Sequence, residues 1–366
     1  MGFRLKRFGV WLSVFALLSA GLLINGCNDD DDPAPSPQVS QTYNGPGSKW
    51  DVDLYDNNTF VIERRPTVTG SVSLTVEGTY ERLSSGFLKL TVSSASGEDA
   101  PSANDMAWAL EVPGYALLLK PVDGDQIIPM VTAGTCPTAD LNANWVVVKK
   151  ADSSRADDAD RDFFGEFVFT IADQSARLPS RRALANSFQD GGEQSLGTGT
   201  CANGILTISD GVMYLTNNGG AIVHTSVDDP SDASFIFGLN QKAITAVSNL
   251  DGNYAGILFD ENQVGDTAIS PVSLSCTSGA CMGTLVTNID TGAVSNETVT
   301  VNLSGTPDQL ATGLITGTIV NTTSGSLACM ADIGVLGTST KMISCVGQSP
   351  GDNQKMFNVL FVSKSS

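Results

Sequence analysis

Seven cysteines, one histidine and a run of closely spaced aspartates are the side chains with the most chemistry to offer in this sequence. The cysteines are Cys27, Cys136, Cys201, Cys276, Cys281, Cys329 and Cys345. None forms a C-x-x-C pair, and no H-E-x-x-H accompanies them, so the clustered His and Cys ligands that zinc prefers are missing. The spacing suits disulfides better. Cys276 and Cys281 flank Thr277-Ser278-Gly279-Ala280, a short glycine-containing loop that fits a hairpin with a bridge across its strands. An odd number of cysteines in an exported chain needs one of them to have a separate role.

The acids offer a weaker site. Asp157-Asp158-Ala159-Asp160-Arg161-Asp162 places carboxylates at alternate positions, as calcium prefers, which makes Asp158, Asp160 and Asp162 candidate ligands. An EF-hand counted from Asp158 needs glycine at its sixth position and glutamate at its twelfth. Phe163 and Phe169 stand there, so that loop type is excluded. Asp123, Asp125, Asp260, Glu261 and Asp266 are further acids in expected loops. The sequence points to no other cofactor. His224 sits in Ala221-Ile222-Val223-His224-Thr225, reads as a strand residue, and is matched by no G-x-S-x-G elbow that would supply a nucleophile. Paired carboxylates for glycoside hydrolysis need only spatial proximity, so the sequence names no catalytic residue.

The elements that must position these groups are strands. Leu88, Leu90 and Val92 oppose Lys89 and Thr91; Val299, Val301 and Leu303 alternate with Thr298, Thr300 and Asn302. Val72, Leu74 and Val76 follow the same rule, as do Phe163, Phe167, Phe169 and Ile171. Period two is the mark of half-buried antiparallel strands. Thirty-seven glycines, with pairs such as Asn203-Gly204 and Asp210-Gly211, punctuate the runs. The fold expected is all-β: two or three antiparallel sandwich-like or up-and-down barrel-like modules, with one helix over residues 180–189, after Pro179. Leu141-Asn142-Ala143-Asn144-Trp145 resembles Leu250-Asp251-Gly252-Asn253-Tyr254, which divides the chain near 48–135, 136–245 and 246–366, with Trp50 marking a first copy.

The amino terminus has another organisation. Arg4, Lys6 and Arg7 precede an apolar run of residues 10–24, too short for the about 20 residues that cross a bilayer. It reads as an export signal. The run ends Ile24-Asn25-Gly26-Cys27, which resembles a bacterial lipobox. That resemblance implies removal of residues 1–26, a diacylglyceryl group on Cys27 and acylation, as with palmitate, of the new amino terminus. Each buried methylene adds about 0.8 kcal/mol, so several chains would hold the protein to a membrane without a spanning helix. Lipidation would account for the seventh cysteine and leave Cys136, Cys201, Cys276, Cys281, Cys329 and Cys345 for three disulfides, an arrangement suited to an oxidising compartment. Six cysteines allow 15 connectivities, and proximity favours Cys276–Cys281 and Cys329–Cys345, leaving Cys136 with Cys201. By the same resemblance, Asn28 after the cysteine implies sorting to the outer membrane, facing either the periplasm or the outside. Residues 27–47, with aspartates at 29–32 and prolines at 33, 35, 37 and 46, read as a disordered tether.

Without residues 1–26, 17 basic residues face 39 acidic ones, a net charge of −22. Such a surface disfavours nucleic acid. The reading is therefore a lipid-anchored envelope protein, leaning away from an enzyme, whose modules bind a small ligand or another envelope component. A hydrolase using paired carboxylates and a structural surface protein or adhesin are the alternatives. A deep pocket of converging acids would favour the hydrolase. A closed barrel with an apolar interior would favour binding, and flat polar surfaces a structural role.

Overall fold

The alternation seen in the sequence becomes three antiparallel sheets. The computed structural model describes residues 36–46, 50–66, 70–122, 126–148, 162–183, 192–209, 211–216, 219–226, 235–260, 269–320, 324–348 and 356–364. The first sheet is a closed barrel of eight strands in chain order: β1 (Val39–Asn44), β2 (Trp50–Tyr55), β3 (Thr59–Arg64), β4 (Leu74–Arg82), β5 (Phe87–Gly97), β6 (Met106–Val112), β7 (Ala116–Lys120) and β8 (Ile128–Val131). Pairing of Asn44 with Val131 closes it.

The second sheet has ten strands: β9 (Leu141–Val148), β10 (Asp162–Thr170), β11 (Ser175–Leu178), β12 (Arg181–Ala183), β13 (Gln194–Thr198), β14 (Thr200–Ala202), β15 (Ile205–Ile208), β16 (Gly211–Leu215), β17 (Ala221–Ser226) and β18 (Phe235–Asn240). Its path runs from β13 through β9 and β18 to β14. The third sheet is again a closed eight-stranded barrel: β19 (Gly252–Asp260), β20 (Ile269–Thr277), β21 (Ala280–Asn288), β22 (Ala293–Ser304), β23 (Leu314–Val320), β24 (Ser324–Ile333), β25 (Lys341–Gln348) and β26 (Met356–Ser363).

Two kinds of strand build the sheets. Strand β4, LTVEGTYER, buries alternate residues and leaves the rest to water. Strand β7, ALLLK, is buried throughout. The reason is packing on both sides. In β7, Leu117 and Leu119 fill the first barrel, while Ala116 and Leu118 face outward into a second core. That second core gathers Trp108 and Leu110 of the first barrel, Trp145 and Phe237 of the middle sheet, and Met330 and Leu360 of the third. Pro37–Ser366 is accordingly one compact unit with the three sheets fused through a shared apolar layer.

Three disulfides are present: Cys136–Cys201, Cys276–Cys281 and Cys329–Cys345. Cys276 lies directly opposite Cys281 across β20 and β21, and Cys329 opposite Cys345 across β24 and β25; both bridges are buried in the third barrel. The turn between β20 and β21 is Ser278-Gly279, both at positive φ, the geometry of the tight hairpin turn that glycine favours. The bridge from Cys136 to Cys201 spans 65 residues, the longest separation of the three, and so restricts the unfolded chain most.

Two expectations are corrected. Strand β1 lies inside the segment read as tether: VSQTYN carries two apolar side chains in the pattern, and only Tyr43 is buried, so backbone pairing with β2 rather than hydrophobic patterning holds it. The first barrel therefore opens with β1, and Trp50 begins its second strand. The expected helix after Pro179 is also displaced: Arg181–Ala183 is a strand paired with β10, and residues 184–189 lie outside the described residues. The α-helix among the described residues is one turn, Pro307–Leu310, capped by the Thr306 hydroxyl and the Gln309 side chain.

Candidate ligand-binding site

The interior of the first barrel is packed at one end and open at the other. In the packed end, Val52, Leu54, Tyr80, Leu88, Ala109 and Leu117 meet across the lumen. The Tyr80 hydroxyl donates to the Tyr55 carbonyl at 2.8 Å. Tyr43 reaches Glu111 at 2.8 Å, and Arg82 grips the same carboxylate with Nε and Nη2 at 2.7 and 2.8 Å. Burial first, and the Glu111 charge second, push the Tyr43 hydroxyl far above the ordinary tyrosine range.

Above this plug the lumen is a pocket of about 550 Å³. An eight-stranded barrel is wide enough either to be filled by its own side chains or to hold one small ligand; this one is packed at one end and leaves a pocket at the other. The strand phase sets the walls. Along β3, Phe60, Ile62 and Arg64 all point inward, while Val61 and Glu63 point out. Leu74 and Val76 of β4, Val92 of β5, Ala107 of β6, Leu119 of β7 and Ile128 of β8 complete an apolar wall. The small side chain of Ala107 helps leave the space open. Phe60 forms part of the floor, and its ring lies against Gly78. A Cβ there would stand 2.0 Å from the Thr91 carbonyl and 2.7 Å from the Phe60 ring, so glycine is required for this close approach.

Polar groups are confined to the mouth. Asp99, Ser102 and Asp105 come from the turn between β5 and β6, and Gln126 from the approach to β8. Both acids are exposed or half-exposed rim residues, and Asp105 Oδ2 accepts the Ser102 amide at 2.7 Å. Arg64 packs its guanidinium 5.8 Å from the Trp50 ring centroid. It donates to the Glu98 carbonyl at 3.0 Å and meets Asp99 Oδ2 at 3.5 Å. Outside the same wall, Arg65 bridges Asp51 and Glu63. Burial pushes the Asp51 carboxyl up from its ordinary value, and the Arg65 hydrogen bond and charge oppose that shift. The site's chemistry is an apolar well beneath a polar collar.

The residues singled out from sequence lie elsewhere. Cys27, Asp158 and Asp160 are outside the described residues, as are Asp123, Asp125, Glu261 and Asp266. Asp162 is the first residue of β10. Among the described residues no group of three His, Cys, Asp or Glu is placed to hold a metal ion. His224 is buried on β17, opposite Met213 and Ile236. Asp260 ends β19 and is buried. Sequence reasoning missed the pocket residues, although β3 carries a readable signal: an arginine in phase with the apolar face of TFVIER.

No family model matches the chain, and no curated protein matches it. Solved structures similar to it include transferrin binding protein B from serogroup B Neisseria meningitidis, at 11% identity, TM-score 0.29 and 87% of this chain. A mutant of transferrin binding protein B from Haemophilus parasuis aligns at 12% identity, TM-score 0.26 and 87% of this chain. A protein of unknown function of the DUF3598 family from Nostoc punctiforme aligns at 9% identity and TM-score 0.22, over 89% of this chain and 96% of that one. The chain spans 66% of the length of each transferrin binding protein B structure.

Proposed function

We propose that this chain is a lipid-anchored protein of a bacterial outer membrane whose first barrel binds a small apolar ligand. The observation that supports the binding role is the pocket in the lumen: its volume and its apolar wall with a few polar groups at the entrance are those of small-molecule sites. The lipobox-like Ile24-Asn25-Gly26-Cys27 supports the anchor. The acids at the pocket stand on its rim, where water keeps them solvated, and the wall that a bound molecule would touch is hydrocarbon. That arrangement favours holding a molecule over hydrolysing one.

Two tests separate these parts. Cys27→Ser is expected to move the protein from membrane to soluble fractions or to leave it with its signal attached; normally processed protein still held by the membrane would contradict the anchor. For the lumen, titration with the neutral fluorophore phenylnaphthylamine is expected to saturate at one molecule per chain. Ala107→Trp, which fills the space, is expected to weaken that binding at least about tenfold, the loss of about 1.4 kcal/mol or more of contact. Unchanged binding by a folded Ala107→Trp protein would contradict the site.

A further inference from the structure

We infer that the ligand is an amphipathic anion, with an apolar body in the lumen of the first barrel and one carboxylate head held by Arg64. This rests on the binding role proposed above. Among the described residues that line the pocket, Arg64 is the one cation, and it occupies the last inward position of β3, directly after Phe60 and Ile62. Its side chain is 24% exposed, which places the guanidinium at the boundary between the apolar wall and water. A carboxylate arriving with its chain in the lumen would meet the planar fork there, and two parallel N–H donors match its two oxygens.

The carboxylate partners of Arg64 are exchangeable, while its hydrogen bond to the Glu98 carbonyl at 3.0 Å holds the guanidinium in place. Glu98 Oε2 is 3.8 Å away and Asp99 Oδ2 3.5 Å, on side chains 73% and 79% exposed. Pairs so open to solvent contribute little, so replacing them by a ligand carboxylate partly shielded by Trp50 is favourable. A cationic head is the opposite case. It would enter beside Arg64 and be repelled, while the two acids that also line the mouth are already engaged, Asp99 by Arg64 at 3.5 Å and Asp105 by the Ser102 amide at 2.7 Å. The overall field of this acidic chain repels anions at long range, so affinity must come from the apolar body and the local fork together.

The test compares three ligands with one tail and different heads: dodecanoate, dodecanol and dodecyltrimethylammonium. The protein is the full mature chain carrying Cys27→Ser, so that no detergent competes for the lumen, and binding is followed by calorimetry. Dodecanoate is expected to bind at least about tenfold tighter than dodecanol, since its carboxylate gains charge-assisted hydrogen bonds that the hydroxyl does not. Arg64→Met keeps the stem and removes the fork; it is expected to erase that preference and leave dodecanol within about twofold. Arg64→Lys, which keeps the charge as a point donor, is expected to retain part of it, and it serves if the methionine variant does not fold. Tighter binding of dodecyltrimethylammonium, or a preference for dodecanoate that survives in Arg64→Met, would overturn the assignment of the head group. Failure of all three ligands to bind the unsubstituted lumen would instead overturn the binding role on which it rests.

Discussion

Lys242→Met is expected to destabilise the folded chain by about 3–5 kcal/mol, more than Asp332→Asn at the same junction of the three sheets. The junction is built around Asp332 of the third barrel, which is fully buried. Its Oδ1 receives Lys242 Nζ, from the segment after the middle sheet, at 2.6 Å. Its Oδ2 receives the hydroxyl of Tyr115, in the turn between β6 and β7 of the first barrel, at 2.7 Å. The same hydroxyl lies 2.6 Å from the Gly220 carbonyl, just before β17 of the middle sheet, and a Cβ on Gly220 would press on the Tyr115 ring at 2.9 Å. One carboxylate therefore joins all three sheets.

The asymmetry between the partners decides the prediction. Lys242 is 38% exposed and water can solvate it if Asp332 is lost. Asp332 has no such recourse when Lys242 is lost, because an uncompensated buried charge costs several kcal/mol. Asp332→Asn, which keeps an acceptor for Tyr115, is expected to cost only about 1–3 kcal/mol. Denaturant unfolding of the two variants checks the order. A cost for Lys242→Met below that of Asp332→Asn would contradict the description of the junction.

The second large effect is alkaline. Tyr43, Tyr115 and Tyr254 are all buried, and each hydroxyl donates inside the protein, to Glu111, Asp332 and the Leu250 carbonyl. Burial is the first cause that raises all three above the ordinary tyrosine value of about 10, and a nearby carboxylate is the second: Glu111, Asp332 and Asp251 respectively. A group whose folded pKa is raised contributes stability that is complete below its unfolded pKa and is lost above it. The unfolded chain releases these three protons near pH 10 while the folded chain keeps them. Stability is therefore expected to fall above pH 10 by roughly 1.4 kcal/mol per pH unit for each tyrosine, about 4 kcal/mol per unit together. Urea unfolding at a series of pH values measures the slope. Tyr254→Phe is expected to reduce it by about a third; a slope unchanged in that variant would contradict the assignment.

What the sequence disclosed follows from the range of the forces involved. Alternation is local, so β5 and β22 are legible in the phases of Leu88, Leu90 and Val92 and of Val299, Val301 and Leu303. The pairing of Cys276 with Cys281 is legible for the same reason, because five residues of separation leave few geometries. Strand β1 is silent, since it buries one side chain and is held by backbone hydrogen bonds that any sequence can make. Val72 and Ile171 follow the alternation but are 40% and 37% exposed, because each lies just outside its strand. The meeting of Tyr115 with Asp332 across 217 residues depends on how whole sheets pack, and nothing at either position announces it. The pocket is an intermediate case. Its walls are ordinary inward positions, and the space they leave depends on summed side-chain volumes around eight strands.

If the lumen of the first barrel holds a ligand, a crystal structure of the mature chain carrying Cys27→Ser, grown with dodecanoate, will show it there. One alkyl chain is expected along Ile62, Val76 and Leu119, with its carboxylate on the guanidinium of Arg64. A lumen closed by its own side chains, or dodecanoate bound only outside that barrel, would contradict it.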